Sequence, residues 1–419
     1  MKILLFTLVG LASILLVAAA YFYLAYLQPI KGMQPSGKYN VGVISFDFKF
    51  ESDLTGASRK LNIKAWYPTD ATQGQLDLQQ TAKTAIAVTK IFNIPSFLAS
   101  KDLSAAYIDV AIANAESEFP VIIFNHGFAS FMTQNTVHMQ ELASHGYIVL
   151  SLAHPGISLI TEYTDGSYVA YDENHPAYIA YSGQSTDIEV IGGQIKTILD
   201  HAKAAKGFDE YWQVMHEFSD IEIYATLQDV ISQWIEDTNQ LVNVIANGEA
   251  ANLSEKIGSF MSPDKIATFG HSLGGVSATF ANMSNLNIKA SLSLDVPPLY
   301  VVSKSELNFD KSTCHIMSDV IMMGGHKLDM RGTNRPLLQK STAFGCNAIF
   351  KDAAHLSFTD MNYAGGMKFF GLLGKADQQK LGAELNHMIL WYFDRMLKNG
   401  TADYMPLDPT TAELEVFNP

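Results

Sequence analysis

Short, unbroken runs of apolar residues recur along the body of this 419-residue chain and alternate with stretches of helical periodicity. In the clearest segment, an apolar run at 121–124 precedes a helical pattern over 136–144, and a second apolar run follows at 147–152. Strands that are apolar at every position are typical of a parallel sheet covered on both faces. In a strand with one solvent-exposed face, apolar and polar residues alternate instead. The pattern therefore predicts an α/β fold with a mostly parallel central sheet and helices on both of its faces.

The same periodicities predict elements on either side of this segment. Two β-branched and aromatic runs at 39–50 and 59–67, separated by polar residues, predict an antiparallel pair of strands, whereas 75–106 has a mixed pattern that is helical in places. The stretch 157–218 is too long for an ordinary connection, so we interpret it as a cap or lid that contains helices. Further strands are predicted at 266–269, 288–294, 315–317 and 347–350, and further helices at 221–246 and 377–397.

The N-terminus carries an apolar segment of a different kind. Residues 3–27 are long enough to cross the roughly 30 Å hydrocarbon layer as a helix, and tyrosines near the end of the stretch suit a membrane interface. The alternative is a cleaved signal peptide with its small-residue site at 18–20; because the apolar stretch continues past that site, an uncleaved anchor is favoured. Either segment is an export signal, so the body is expected outside the cytoplasm, periplasmic or extracellular, with membrane contact through this segment.

These patterns divide the chain into four parts. Residues 1–27 are the transmembrane anchor or signal segment, and 28–38 are a linker with two prolines and two glycines. Residues 39–400 form the α/β domain, with its cap insertion at about 157–218. The last part, 401–419, is interpreted as a C-terminal tail on the surface.

Charge and cysteine content exclude several classes of protein. The 28 basic and 42 acidic residues give a formal net charge of −14, opposite to the basic footprint of a nucleic-acid-binding protein. The two cysteines, Cys314 and Cys346, are too few for a disulfide framework or a cysteine-rich zinc site. They can form one disulfide in an oxidising compartment or stay two buried thiols. No metal ion or cofactor is expected.

Residues 270–274 read Gly-His-Ser-Leu-Gly and match the G-x-S-x-G pattern of a nucleophile elbow. The predicted strand 266–269 ends directly before the motif and a helix-compatible run begins directly after it, which is the strand–turn–helix setting that an elbow requires. Gly270 and Gly274 supply the small residues that so sharp a turn needs. The alternative is an ordinary serine in a glycine-rich turn, but the flanking strand and helix favour Ser272 as a nucleophile.

Two backbone N–H groups are the expected donors to the negatively charged oxygen that develops when a serine attacks an ester. One is the N–H of Leu273, the residue after the nucleophile, at the N-terminus of the predicted helix. The other is expected from the loop after strand 121–124, where Gly127 permits close backbone approach and the N–H of Phe128 is the candidate. His126 and His271, adjacent to these groups, are interpreted as structural hydrogen-bonding residues.

A neutral imidazole within hydrogen-bonding distance must accept the serine proton, and in the α/β-hydrolase fold the chain order is serine, acid, histidine. His355 follows strand 347–350 after a short loop, at the strand end where catalytic groups collect in open parallel sheets. The other histidines beyond the motif fit less well: His315 begins a strand, His326 has no preceding strand, and His387 lies within the closing helix. His355 is therefore the predicted base.

Two aspartates at strand ends are candidates for the acid that orients the base. Asp295 closes strand 288–294 and is followed by Val-Pro-Pro, which favours a rigid loop, whereas Asp319 follows the later strand 315–317. The commoner arrangement uses the later strand, so position alone leaves both aspartates open.

Seven short segments spread over the body of the chain have the pattern of one known family. They are Trp-Tyr-Pro at 66–68, 119–127 with its terminal His-Gly, Leu-Ala-Ser-His-Gly-Tyr-Ile-Val at 142–149, Lys-Ile-Ala at 265–267, Gly-His-Ser-Leu-Gly-Gly at 270–275, Leu-Asp at 294–295 and His-Leu-Ser-Phe-Thr-Asp at 355–360. Together they resemble the plasma-type platelet-activating factor acetylhydrolases and their bacterial relatives, α/β-hydrolases that cleave esters without a metal. The resemblance implies that the acid is Asp295, on the strand directly after the nucleophile helix, and assigns Ser272, His355, Leu273 and Phe128 to nucleophile, base and the two backbone donors.

The sequence thus predicts a metal-independent serine ester hydrolase that cleaves short or oxidised acyl esters of lipids or related small molecules. Where the family has bulky aromatic residues after its acid, in the acyl pocket, this chain has Val296, Pro297 and Pro298. The alternatives on the same fold are a non-catalytic binding protein, an acyltransferase that uses another alcohol, and a polyesterase.

Overall fold

The structure is a computed structural model that describes residues 17, 34–91, 96, 102–114, 118–182, 187–298, 300, 303–364, 367–368, 372–398, 400 and 407–418. Apart from Val17, the predicted anchor or signal segment 1–27 lies outside the described residues, as does the linker up to residue 33. Within the described part of the chain, no helix is both long and apolar enough to cross a bilayer.

Strands dominate the centre of the molecule. Among the described residues, β1–β15 span, in chain order, Asn40–Glu51, Ser58–Thr69, Leu76–Leu78, Leu103–Ile108, Phe119–Asn125, Ile148–Ala153, Ile160–Glu162, Tyr168–Ala170, Met261–His271, Ile288–Leu294, Ser312–Ser318, Val320–Met323, His326–Asp329, Gly345–Phe350 and Ala412–Phe417. Eleven of them form one sheet in the order β15-β14-β11-β10-β9-β5-β6-β2-β1-β4-β3. The pairs β7–β8 and β12–β13 form two separate hairpins.

Six adjacent strands of the large sheet run parallel and confirm the predicted parallel centre. They are β6, β5, β9, β10, β11 and β14, each hydrogen-bonded to the next. Every residue of β5 and β6 is buried, which explains why their sequences are apolar without alternation. Because the carboxyl ends of parallel strands meet at one edge, the loops after β5, β9, β10, β11 and β14 all open toward the same side.

Helices cover both faces of the sheet, as predicted. Among the described residues, α1–α9 span Ala82–Ile91, Thr136–Ser144, Pro176–Tyr181, Ile188–Ala204, Phe208–His216, Glu222–Ala246, Leu273–Ser284, Arg335–Lys340 and Gln378–Leu397. Successive residues of β5 alternate between the two cores: Phe124 packs in the cluster that contains Met139 of α2 and Ile389 of α9, whereas Ile123 packs in the cluster that contains Leu241 of α6. The sheet is therefore the middle of three layers.

The stretch 157–218 contains the β7–β8 hairpin, α3, α4 and α5. Its apolar side chains, among them Leu199 and Trp212, join a buried cluster with Leu273 and Val276 at the start of α7. The insertion thus packs over the end of the sheet where α7 begins, and its function as a cap stays a prediction.

Two parts of the sheet differ from the sequence-based expectations. The segment 75–106 contributes the strands β3 and β4 as well as helix α1, although the pattern predicted only some helix. The C-terminal segment is not simply a surface tail, because β15 pairs antiparallel with β14 along its whole length. β15 is the edge strand of the sheet, and its two glutamates, at alternate positions, are exposed or half-buried.

A disulfide joins Cys314 of β11 to Cys346 of β14. The two residues are register partners on neighbouring parallel strands, and both are fully buried. Of the two states that the sequence allows, the structure has the bridged one. The bridge ties together the two strands whose ends lead to Ser318 and to the loop that carries His355.

Candidate active site

The elbow is built by the direct passage from β9 to α7. β9 ends at His271 and α7 begins at Leu273, so Ser272 alone makes the turn. Its backbone angles, φ 54° and ψ −128°, lie in a region that non-glycine residues rarely occupy. The N–H of Ser272 donates to the carbonyl of Leu294 on β10 at 2.8 Å, which holds this conformation against the sheet.

The glycines of the motif are required by close backbone packing. A Cβ atom on Gly274 would overlap the carbonyl oxygens of Asn125 and His126, and a Cβ atom on Gly270 would overlap the carbonyl oxygen of Gly274. Any larger residue would therefore force the start of α7 away from the loop that follows β5. The motif brings Ser272 close to that loop only because both positions are glycine.

His355 and Asp295, predicted as base and acid, form a hydrogen-bonded pair. The Nδ1 atom of His355 lies 2.8 Å from Oδ2 of Asp295. The other oxygen of Asp295 accepts both the backbone N–H and the hydroxyl of Ser318, each at 2.7 Å. Burial of Asp295 raises the pKa of its carboxyl, but the hydrogen bonds from His355 and Ser318 outweigh this effect and lower the pKa below its ordinary value. The carboxylate is thus ionised beside the imidazole.

The pair differs in exposure in a way that suits proton transfer. The side chain of Asp295 is fully buried, whereas that of His355 is 38% exposed. A buried carboxylate that is hydrogen-bonded to Nδ1 can fix the orientation of a histidine ring that is itself still partly exposed.

The alternative acid, Asp319, has different partners. Its N–H donates to the carbonyl of Phe350, and its carboxylate accepts the N–H of Asp352 at 3.2 Å. The structure therefore brings Asp295, and not Asp319, into contact with His355.

The loop after β5 lies directly against the elbow. A Cβ atom on Gly127 would come within 3.4 Å of Cβ of Ser272 and 3.3 Å of Nδ1 of His271. The carbonyl of Gly127 accepts from Nδ1 of His126 at 2.7 Å, and its N–H donates to Oε1 of Gln134 at 2.8 Å. The backbone of Gly127, and with it the start of Phe128, is therefore held on both sides.

Two buried histidines make structural contacts around this loop, in line with the sequence interpretation. Nε2 of His126 lies 2.6 Å from the hydroxyl of Ser158, and Nε2 of His271 lies 3.0 Å from the carbonyl oxygen of His355. Burial lowers the pKa of His126 and of His271 to about 3, so both rings are neutral at physiological pH. A neutral ring can both donate and accept, which their contacts require.

An aromatic cluster joins the loop to the insertion. The ring of Phe128 lies 4.9 Å from that of Tyr178 and 5.4 Å from that of Tyr181, both on α3. Phe128 and Tyr178 pack against the apolar cluster that contains Leu273 and Val296. The elbow is thus bordered by apolar side chains on the side of the insertion.

The remaining histidines lie elsewhere. His315 is buried within β11 and bonds Ser293, His326 begins β13 of a hairpin, and His387 is exposed on α9. Among the described residues, no group of three or more histidine, cysteine, aspartate or glutamate side chains is arranged to hold a metal ion.

Sequence reasoning missed two residues of the site, Ser318 and Gln134. Ser318 had a weak signal, since it directly precedes Asp319 at a strand end. Gln134 had none, because its partners Gly127 and His271 are set by the packing of two distant loops.

The sheet order and the elbow define a protein of the α/β-hydrolase fold. The family model described as platelet-activating factor acetylhydrolase, isoform II, matches residues 36–399. The chain belongs to this family, as its sequence motifs predicted.

Individual relatives are more distant. The chain is 25% identical over 181 residues to a platelet-activating factor acetylhydrolase from Canis lupus familiaris, covering 42% of this chain and 35% of the relative. It is 20% identical over 297 residues to a protein of the same name from Gallus gallus, covering 67% of this chain and 62% of the relative. The chain thus spans less than two thirds of the length of both relatives.

A solved structure with a similar fold is a ferulic acid esterase from Streptomyces cinnamoneus. The two superpose with a TM-score of 0.65 over 93% of this chain and 99% of the other, at 14% sequence identity. At this identity the match describes the fold alone, and it agrees with the predicted α/β-hydrolase architecture.

Proposed function

We propose that the protein is a serine ester hydrolase that works through an acyl-enzyme on Ser272. The observation that carries the proposal is the pair of His355 and Asp295 at 2.8 Å, beside an elbow whose serine has the strained backbone of a nucleophile. The family membership and the names of the relatives support ester cleavage as the reaction.

In the first half-reaction the hydroxyl of Ser272 attacks the ester carbonyl. Nε2 of His355 accepts the serine proton, and the buried carboxylate of Asp295 stabilises the imidazolium that forms. The same proton is then given to the departing alcohol, which leaves the acyl group bonded to Ser272. In the second half-reaction His355 removes a proton from water as the water attacks the acyl-enzyme. The bond between the acyl group and Ser272 then breaks, the acid is released, and His355 returns the proton to Oγ of Ser272.

In this proposal the N–H groups of Leu273 and Phe128 donate hydrogen bonds to the carbonyl oxygen and stabilise the negative charge that develops on it. Leu273 is the first residue of α7, so its N–H is one of the unpaired donors at a helix N-terminus. Phe128 belongs to the loop whose Gly127 packs against Ser272. Loss of one such donor typically lowers the rate by about 100- to 1000-fold.

The substrate class is proposed to be short or oxidised acyl esters of lipids or related small molecules. The apolar border formed by Phe128, Tyr178, Leu273 and Val296 favours an acyl group over a charged one. In this proposal the insertion 157–218 acts as the cap, and the N-terminal segment 1–27 anchors or exports a body that lies outside the cytoplasm.

Hydrolysis of p-nitrophenyl esters from acetyl to dodecanoyl tests the proposal. Wild type is expected to hydrolyse the short esters, with activity lost in Ser272→Ala and after treatment with a fluorophosphonate that labels Ser272. Ser277→Ala is the matched control, because Ser277 lies on the same helix and bonds only within it, to the carbonyl of Leu273. Absence of hydrolysis and of labelling in wild type, or full activity in Ser272→Ala, would reject the proposal.

A further inference from the structure

We propose that Gln134 is a positioning residue for ester hydrolysis, which ties the Gly127–Phe128 loop to the elbow and to the loop of the base. The inference rests on the proposed function, because the role is defined for ester hydrolysis at Ser272. Gln134 itself is assigned no contact with the substrate or the reacting atoms. Its basis is an unbroken chain of hydrogen bonds through three segments that are distant in the sequence.

The direction of each hydrogen bond in this series is fixed by its two end groups, the N–H of Gly127 and the carbonyl of His355. The N–H of Gly127 can only donate, so the side-chain oxygen of Gln134 faces it at 2.8 Å and the amide nitrogen faces Nδ1 of His271 at 2.6 Å. Nδ1 must then accept, which leaves the ring proton on Nε2. Nε2 lies 3.0 Å from the carbonyl oxygen of His355, which can only accept.

This series of hydrogen bonds is protected from water. Gln134 is 5% exposed and His271 is 2% exposed, so neither can replace a lost partner by solvent without rearrangement. Burial lowers the pKa of His271 to about 3, which keeps the ring neutral and the donor pattern unchanged over the working pH range.

The consequence for Phe128 follows from the geometry of the peptide bond. The carbonyl of Gly127 and the N–H of Phe128 belong to one planar trans unit and point in opposite directions. His126 holds this carbonyl, and Gln134 holds the N–H at the other end of Gly127. Together they fix the direction in which the N–H of Phe128 points.

The backbone of Gln134 is also held by the loop of the base. Its carbonyl accepts the N–H of Asp360 at 2.9 Å, five residues after His355. Gln134 therefore connects the candidate base loop and the candidate oxyanion loop through both its side chain and its main chain.

The variant Gln134→Met tests this role, because methionine fills similar space without hydrogen bonds. We expect kcat for p-nitrophenyl acetate to fall about 10- to 100-fold, the size of effect that a small misplacement of a catalytic group causes, with KM nearly unchanged. The affinity for an aryl trifluoromethyl ketone, whose oxygen becomes an oxyanion when Ser272 adds to it, should fall in the same proportion.

Gln140→Met is the matched control. Gln140 lies on α2, is 4% exposed, and accepts the backbone N–H of Ala105 at 3.0 Å, so its replacement removes a comparable buried hydrogen bond away from the elbow. It should lower stability without changing kcat. Equal kcat losses in the two variants would overturn the inference, as would unchanged kcat in Gln134→Met.

Two further variants keep the test decisive. Should Gln134→Met not fold, Gln134→Glu carries the test, since it retains an acceptor for Gly127 but presents a second acceptor to Nδ1 of His271; retained kcat in it would overturn the inference. The double variant Gln134→Met/His271→Phe should be no slower than the slower single variant if the two residues act as one unit. Multiplied losses would overturn the connection through His271.

The same p-nitrophenyl ester assays distinguish failure of this inference from failure of the proposed function. Wild type and Ser272→Ala report on ester hydrolysis itself. Hydrolysis by wild type with no loss in the Gln134 variants rejects only the positioning role.

Discussion

Ser318 donates both its backbone N–H and its hydroxyl to a single oxygen of Asp295, each over 2.7 Å. The other oxygen is left for His355. Two donors from the end of β11 and one from His355 thus hold this buried carboxylate in place.

Ser318→Ala should therefore weaken the hold on Asp295, the candidate acid, without removing it. The backbone donor remains, but loss of one hydrogen bond to a charged group is expected to lower kcat about tenfold. The matched control is Ser291→Ala, a buried serine of β10 that bonds Asn282 instead. Equal kcat values for wild type and Ser318→Ala would contradict the assigned role.

Asp295→Asn and Asp319→Asn distinguish the two candidate acids. An asparagine beside His355 favours the wrong tautomer of the ring, so kcat should fall by about 10,000-fold in Asp295→Asn. Asp319→Asn should leave kcat unchanged, because Asp319 contacts the N–H of Asp352 and not the base. The opposite result in a steady-state assay would transfer the role to Asp319.

Gly274→Ala should be poorly tolerated, because the added methyl overlaps the carbonyl oxygens of Asn125 and His126. Overpacking of this kind typically costs about 1–3 kcal/mol of unfolding free energy, and here it also displaces the loop after β5. Gly207→Ala is the control, since no atom lies within 4 Å of a Cβ at that position. Urea unfolding and kcat measured on both proteins check the prediction; a fully active, equally stable Gly274→Ala protein would refute it.

His315 should make stability depend on pH in the acid range. Burial lowers its pKa from 6.5 to about 3, so the unfolded chain binds a proton between these values that the folded chain does not. The unfolding free energy therefore decreases as pH falls through this window, by up to about 1.4 kcal/mol per pH unit for one such group. His315→Gln should reduce that slope, measured by urea unfolding between pH 6 and 4.

The control for this measurement is His387→Gln, on the exposed side of α9. It removes no buried imidazole, so the slope should match that of wild type. A slope that is the same in all three proteins would mean that His315 does not contribute.

Removing the disulfide should lower stability and leave the chemistry of the site in place. The bridge closes a loop between residues 32 positions apart, and the chain-entropy argument gives about 3–4 kcal/mol for a loop of this size. Urea unfolding with and without reductant, with the Cys314→Ala/Cys346→Ala protein for comparison, measures the effect. An unchanged midpoint under conditions in which free thiols are detected would contradict it.

The parallel centre of the fold was predictable chiefly from β5 and β6, in which every residue is buried and nearly every residue is apolar. Strand β15 was missed although its sequence alternates Ala412, Leu414 and Val416 with two glutamates, the pattern of a strand with one covered face. The short strands β3 and β4 have no comparable signal, since pairing at a sheet edge demands little of the sequence.

The candidate site also contains residues that the sequence predicts and residues that it does not. Ser272 and His355 follow from a motif and from the order of strand ends, and the choice of Asp295 needed the family resemblance. Ser318 and Gln134 could not be predicted, because their partners are determined by how separate loops pack against each other and no local pattern records that packing.

Asp360 also joins the two sides of the site. Its carboxylate accepts the N–H groups of Thr136 and Val137 at the start of α2, across 224 residues of chain, while its own N–H reaches Gln134. We therefore expect the loop that carries His355 and the helix α2 to open together in amide hydrogen exchange. An insertion engineered into the loop of His355 should therefore also lower the exchange protection at the start of α2.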